Sequence, residues 1–466
     1  LIVQVIVVEW GASVDAYGVH RSGGQAMGQV MRFHPAASRR FLFLQGPPGP
    51  FFRLLGAELA QRGAEVFRIN LSGGDRYDWR DGTVEFRGRM KNWPLFFDRF
   101  LQDRSVTDVV LFGDCRPVHR VALRLAQLRG VHVHVFEEGY IRPDWMTLER
   151  DGVNGHSSLE RDPEVILAAA RWLPPVPQLP PITAQFSRRA RDSYWHFHNV
   201  FLGRLRFPFY KTHRPGSILL WGIGWAARFA RAQHRARQAE QVLQLVAGKR
   251  FFLFPLQLSG DYQIRAHSPF ATMTMATDYV LDSFARHAPD DCILLVKEHP
   301  LDSTLMNWRR FINRRARKLG LAGRVLHIDG GELSDMARAA QGMVCVNSTS
   351  GTLALEFGTP VIVLGDAVYD VPGATYQGLL DQFWQNPGKP DRDLYQAFKR
   401  LLHAQCLVRG GLASESAIQI LIDSSIDRLL AVNDTGQRAV DEAAFGPAAL
   451  QVAASQALGT SPSSSR

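Results

Sequence analysis

The chain has 466 residues, 46% of them hydrophobic and 21% charged, which is long enough for two domains and apolar enough to bury a core. Its 54 Lys and Arg outnumber 44 Asp and Glu, and the net charge of +10 favours an anionic partner: nucleic acid, an anionic membrane surface or an anionic small substrate. No RRM, KH or zinc-finger pattern is present, so no nucleic acid is expected, and no run of about 18 apolar residues exists to span a bilayer.

Residues 1–40 open on an apolar run, Leu1 to Val8, without a basic flank or a small-residue cleavage site, and continue Gly-, Ser- and Arg-rich. We expect a disordered or misassigned extension there, with the first domain opening near Arg40. The run Phe41 to Leu44 predicts a buried strand, Gln45 to Pro50 a turn, and Phe51 to Arg62 a helix by its apolar spacing. Further strands are predicted over Ala64 to Asn70, Asp108 to Phe112 and Val131 to Phe136, with a helix from Val118 to Leu128. This alternation predicts a doubly wound parallel sheet over residues 41–171.

A Pro-rich stretch from Trp172 predicts a stiff linker, and residues 186–249 read as basic, aromatic helices. A second alternating set follows over 250–431, with strands near Arg250 to Phe254, Ile293 to Val296, Val325 to Ile328, Met343 to Val346 and Val361 to Leu364. Residues 432–466 are Ala-, Gln- and Ser-rich and read as a disordered tail. The fold class expected is α/β, two Rossmann-like domains facing a cleft, the glycosyltransferase arrangement called GT-B. The four cysteines, Cys115, Cys292, Cys345 and Cys406, show no metal spacing and fit buried thiols in a reducing cytoplasm. No metal is expected, and no D-x-D motif is evident.

Two motifs sit at predicted strand ends, where open α/β sheets bind ligands. Lys297, Glu298, His299 and Pro300 end one strand; Asn347, Ser348, Thr349, Ser350 and Gly351 end another and open a helix. Hydroxyls and free N–H groups beside His and Lys suit the phosphate of an activated nucleotide. The structural alternatives are a solvated Lys297 and a Ser348 that only caps its helix. Glu137 and Glu138 end a strand of the first half; adjacent carboxylates repel, so one can hold a proton near neutral pH and act as general base. Alternation along a strand sends them in opposite directions, and we favour Glu138. Asp114 and His119 flank the neighbouring strand end, and one of the two glutamates could instead orient Arg116 or Arg142. Gln45 and Gly46 form a tight turn suited to the acceptor side.

Five strings resemble the capsular polysaccharide biosynthesis and export proteins of the KpsS/LipB type: Gln45 to Phe52, Phe112 to His119, Phe136 to Pro143, Pro255 to Gln257 and Lys297 to Pro300. The resemblance runs from about Phe41 to about Leu430. It implies a cytoplasmic enzyme, peripheral on the inner face of the inner membrane of a Gram-negative bacterium. It implies retaining transfer of β-Kdo (3-deoxy-D-manno-oct-2-ulosonic acid) from CMP-Kdo to phosphatidylglycerol or its lyso form. No cofactor is implied beyond CMP-Kdo as donor. The product would start the poly-Kdo linker, which a companion transferase of the KpsC type extends and a capsule ABC exporter complex carries out.

By the same resemblance Asp261 is the nucleophile, His299 binds the CMP phosphate, and Gln257 joins the donor site. A retaining double displacement requires one attacking carboxylate and a nearby acid/base group. The structural alternative for Asp261 is a turn-forming residue after Gly260. Trp195, Arg204, Arg206, Trp221, Trp225 and Arg228 mix aromatics with cations and are candidates for contact with an anionic leaflet. Two other functions stay open: a nucleotide-sugar epimerase on the same scaffold, and a non-enzymatic adaptor holding anionic polysaccharide during export.

Overall fold

The structure, a computed structural model, describes residues 32–33, 39–212, 224, 228, 232–258, 262–302 and 306–432. Strands are numbered in chain order, beginning with a short β1 (Arg32–Phe33) that pairs antiparallel with β14 (Ala431–Val432).

The first sheet contains β2 (Arg40–Phe43), β3 (Glu65–Asn70), β4 (Val84–Glu85), β5 (Asp108–Phe112), β6 (His132–Glu138), β7 (Trp145–Arg150) and β13 (Leu407–Arg409). Their order is β13-β7-β6-β5-β2-β3-β4. The stretch from β6 to β4 is parallel. Every residue of β5 is buried because helices cover both faces. Phe41 and Phe43 face the helices Phe51–Gln61 and Glu415–Leu430, whereas Leu42 and Leu44 face Trp93–Asp103 and Pro117–Leu128. One apolar strand thus feeds two cores through its period of two.

The second sheet is all parallel: β8 (Phe251–Pro255), β9 (Ile293–Lys297), β10 (Val325–Ile328), β11 (Gly342–Cys345) and β12 (Val361–Val363), in the order β10-β9-β8-β11-β12. Phe252, Phe254, Leu294 and Val296 enter one core, and Phe251, Leu253, Ile293 and Leu295 the other. The chain is therefore α/β with two Rossmann-like sheets, as its alternating pattern implied. In each sheet the chain steps outward from its first strand, returns, and continues on the other side. The switch points lie between β2 and β5 and between β8 and β11, and ligands bind at the carboxyl ends of strands flanking such a point.

Two features depart from the sequence reading. The strand β7 was not expected; it pairs antiparallel with β6 and extends the first sheet. Residues 407–431, assigned above to the second domain, instead return to the first: β13 pairs with β7. The helix Glu415–Leu430 then buries Ile418, Leu421, Ile422, Ile426 and Leu429 against the Phe41 and Phe43 face. Its apolar stripe needs a partner, and the second sheet already has both faces covered. Among the described residues no helix is long and apolar enough to cross a membrane.

Candidate active site at the facing strand ends

The second domain contributes three loops. Past β9, the Leu301 N–H donates to His299 Nδ1 at 3.1 Å, so the neutral ring carries its proton on Nε2. Burial pushes the His299 pKa down to about 4, helped by the positive charges of Arg142, Lys297 and Arg228 and opposed by Asp302. His299 is thus a neutral hydrogen-bond donor across the physiological range.

Its neighbours do otherwise than expected. Lys297 is buried, with its pKa lowered by burial, and donates to the Gly330 carbonyl at 2.9 Å. Glu298 accepts from Arg228 at 3.0 Å and pairs with His327 at 3.0 Å. Both side chains serve the loop's own support. Pro300 is exposed.

The second-sheet switch point is bridged by Gln257 and Asn347. Gln257 Nε2 donates to Asn347 Oδ1 at 2.8 Å, and the Asn347 N–H donates to Gln257 Oε1 at 3.2 Å. The Asn347 amide also donates to the carbonyls of Gln263 at 3.0 Å and His267 at 3.2 Å. One side chain therefore ties Gln257 to Gln263 and His267; Asp261 lies outside the described residues.

Beyond Asn347, Ser348 Oγ donates to Ser350 Oγ at 3.0 Å and accepts from the Ser350 N–H at 3.2 Å, so it braces the turn. Thr349 occupies the N-cap of the short helix Ser350–Glu356 and makes no side-chain cap bond. A Cβ at Gly351 would lie 2.3 Å from Tyr369 Oη, which explains glycine there.

The first domain supplies the opposing wall. Gln45 donates to Tyr210 Oη at 3.0 Å and to Asp75 at 3.1 Å, so it is committed to packing its own domain. A Cβ at Gly46 would lie 2.6 Å from the Phe52 ring. Arg116 reaches across the first switch point to the Gly46 carbonyl at 3.3 Å. His119, fully buried, donates from Nδ1 to the Gly113 carbonyl at 2.6 Å, and burial holds its pKa down to about 3. Its place is structural. Asp114 accepts from His156 Nδ1 at 2.9 Å and from the Val153 N–H at 3.2 Å.

The paired glutamates part as the strand pleat requires, but in the opposite sense to the one favoured above. Glu138 is ion-paired with Arg189. Glu137 lies over the end of β5, where a Cβ at Gly113 would come within 2.9 Å of its Oε2. Burial raises the Glu137 pKa to about 7, with Glu138 and Asp114 adding to the rise and the Glu138 N–H and Arg116 opposing it. Of the two, Glu137 has the protonation behaviour of a general acid/base.

The strand ends of the two domains meet. Cys115 Sγ lies 3.2 Å from His267 Nε2, Thr352 Oγ1 donates to the Tyr140 carbonyl at 3.0 Å, and Arg161 pairs with Asp366 at 2.9 Å. Arg142 is close enough to His299 to lower its pKa.

Residues 107–412 match the family described as capsule polysaccharide biosynthesis protein. The chain belongs to this family. It is 33% identical over 372 residues to the capsule polysaccharide export protein KpsS of Escherichia coli, covering 78% of this chain and 95% of that protein. It is 34% identical over 376 residues to the capsule polysaccharide modification protein LipB of Neisseria meningitidis serogroup A, covering 78% of this chain and 89% of that protein. A solved structure of Thermosulfurimonas dismutans KpsC, beta Kdo 2,7 transferase, aligns over 83% of this chain and 99% of that chain at 14% identity. The TM-score of that alignment is 0.39.

The matched span of this capsule-family chain includes both strand-end motifs and Glu137, while Gln45 and Gly46 precede it. Among the proposed membrane residues, Trp221 and Trp225 lie outside the described residues. Trp195 is exposed and stacks on Tyr77, and Arg204 sits over the Phe201 ring. Arg206 pairs with Glu85 at 2.8 Å. Arg228 is not on such a surface: its side chain is 10% exposed, and its guanidinium donates to Glu298, to the Asp302 carbonyl at 2.9 Å and to Asp329 at 2.7 Å. It clamps the His299 loop. Sequence reasoning missed this clamp, and it missed His156 and His267, which carry no spacing signal.

Proposed function

We propose that this capsule biosynthesis protein is a retaining glycosyltransferase that moves β-Kdo from CMP-Kdo to phosphatidylglycerol or its lyso form. The reading is supported by a neutral His299 donor past β9, near enough to Arg142 of the first domain to feel its charge, together with a Glu137 carboxyl over the end of β5 whose pKa burial raises to about 7. His299 Nε2–H suits a phosphate oxygen of CMP, and Arg142 adds positive charge beside it. In the first displacement the Asp261 carboxylate attacks the anomeric carbon, the bond to CMP breaks, and CMP leaves as its phosphate monoester anion. In the second, Glu137 takes the proton of the lipid hydroxyl as that oxygen displaces Asp261, which restores the original configuration.

The lipid acceptor fits the basic, aromatic character of the middle segment, where Trp195 and Arg204 lie at the surface. Transfer of one or more Kdo residues to a lipid would make the chain the initiator for a poly-Kdo transferase and an exporter. The test incubates the purified protein with a CMP-Kdo generating system and fluorescent phosphatidylglycerol, followed by mass spectrometry of lipid and protein. A lipid heavier by Kdo, absent with Asp261→Ala, supports the proposal, and a Kdo adduct on Asp261 establishes double displacement. No lipid product where a poly-Kdo transferase control is active favours the export-adaptor function.

A further inference from the structure

Four side chains from distant parts of the sequence converge where the domains touch. Asp114 and Cys115 follow β5, His156 lies in the turn Asn154–His156 after β7, and His267 follows the short helix Tyr262–Ala266 of the second domain. One ligand atom from each lies within 4.8 Å of the others. Cys115 Sγ is 3.2 Å from His267 Nε2, His156 Nδ1 is 2.9 Å from Asp114 Oδ2, and the two imidazoles meet edge to face with centroids 4.5 Å apart.

We propose that these four residues form a Zn²⁺ site that ties the two domains together. A tetrahedron with zinc bonds of about 2.0–2.3 Å has edges of about 3.3–3.8 Å, so the donors need only small shifts to close on one ion. One thiolate sulfur and two imidazole nitrogens suit zinc and disfavour Mg²⁺ and Ca²⁺, which take oxygen ligands. The thiolate and the carboxylate together balance the double positive charge, as a buried site requires.

Two further observations point to a ligand. Asp114 is 2% exposed, yet its Oδ1 has no hydrogen-bond partner. A buried carboxylate oxygen left bare is costly, and a cation on that carboxylate relieves the cost. Gly155 lies directly against His267: a Cβ there would come within 2.4 Å of its Nδ1, so glycine lets the two histidine segments approach. Four protein ligands leave no coordination position for water, which makes the site structural rather than hydrolytic. His267 directly follows the helix Tyr262–Ala266, and a metal there would fix the end of that helix against the end of β5 of the other domain.

The test strips the full-length protein with EDTA, adds one equivalent of Zn²⁺, removes unbound metal by gel filtration and counts zinc by elemental mass spectrometry. The wild type and a Cys292→Ser control should each retain close to one zinc per chain. Cys115→Ser, His156→Gln and His267→Gln should weaken zinc binding at least about tenfold in competition with a chromophoric chelator, since even outer-shell losses cost that much. Co²⁺ in place of zinc should give a thiolate-to-cobalt charge-transfer band that Cys115→Ser abolishes. The exposed His156 variant keeps the test decisive if a buried one fails to fold. A wild type without stoichiometric zinc, or zinc held equally well by the variants, overturns the proposal and leaves two ordinary hydrogen-bonded pairs.

Discussion

The backbone N–H of Glu138 donates to Glu137 Oε1 at 3.1 Å, and beyond that bond the two neighbouring carboxylates have different surroundings. One is raised by burial to a pKa of about 7; the other is ion-paired with Arg189. As a general base Glu137 must be ionised, so kcat/KM should rise through about pH 7 and level off above it. Glu137→Gln should remove that rise and lower the rate by about 10²–10⁴-fold. Glu138→Gln loses a partly exposed ion pair, worth about 1 kcal/mol or less, and should keep the pH profile. Steady-state rates from pH 5.5 to 9 for the three proteins would check this.

His299 presents Nε2–H while Nδ1 is occupied by the Leu301 N–H. Replacing it with Ala should remove a hydrogen bond to a charged phosphate, worth about 1.5–3 kcal/mol, or roughly 10–150-fold in kcat/KM for the donor. Because its pKa is pushed down to about 4, no titration of His299 should show between pH 5.5 and 9. An NMR titration of the labelled imidazole, with the Ala variant to assign it, would measure this.

Arg228 and Arg204 belong to the same basic segment but should separate in experiment. Arg228→Ala should lower thermal stability, because Glu298 and Asp329 lose a nearly buried partner, and should leave vesicle binding unchanged. Arg204→Ala should weaken recovery on phosphatidylglycerol vesicles by roughly fivefold, the equivalent of about 1 kcal/mol per surface cation, with little change in melting temperature. Flotation and thermal melts on both variants test the distinction.

Asp108, fully buried, accepts from Arg39 Nε at 2.6 Å and His134 Nε2 at 2.7 Å. Burial alone would raise its pKa, but the hydrogen bonds and charges of His134 and Arg39 hold it well below the usual carboxylate range. Asp108→Asn should cost about 3–5 kcal/mol by leaving Arg39 buried without its counter-charge. A depressed carboxylate stabilises the fold above its unfolded pKa of about 3.9 and loses that contribution as pH falls through the folded value. The gap between wild type and variant in urea unfolding should therefore be full at pH 6 and narrow below about pH 4.

The parallel strands were legible because runs such as Phe41 to Leu44 and Ile293 to Val296 are apolar on both faces, the mark of strands covered by helices on each side. His299 was legible because a His-Pro pair follows such a run. β7 was not, since Thr147 and Glu149 are polar yet buried; Glu149 is satisfied by Tyr140 Oη at 2.6 Å, a partner that only the fold reveals. The division of labour between Glu137 and Glu138 turned on which side of β6 meets the end of β5. Lys297 and Glu298 read as donor ligands because chain position does not say whether a side chain turns toward the cleft or back to Gly330 and Arg228. Cys115 and His267 are 152 positions apart, and no local pattern announces their meeting.

The return of residues 407–432 to the first sheet has a consequence for biogenesis. While the chain is being synthesised, β7 waits as an open sheet edge, and the Phe41 and Phe43 face stays uncovered by Glu415–Leu430, until residues 407–432 have left the ribosome. The amino-terminal domain therefore cannot be completed in translation order. An exposed strand edge during that interval is a template for mispairing. A nascent chain stalled before Leu407 should need chaperone protection, and a domain-exchange chimera between relatives must transplant two separate stretches of sequence.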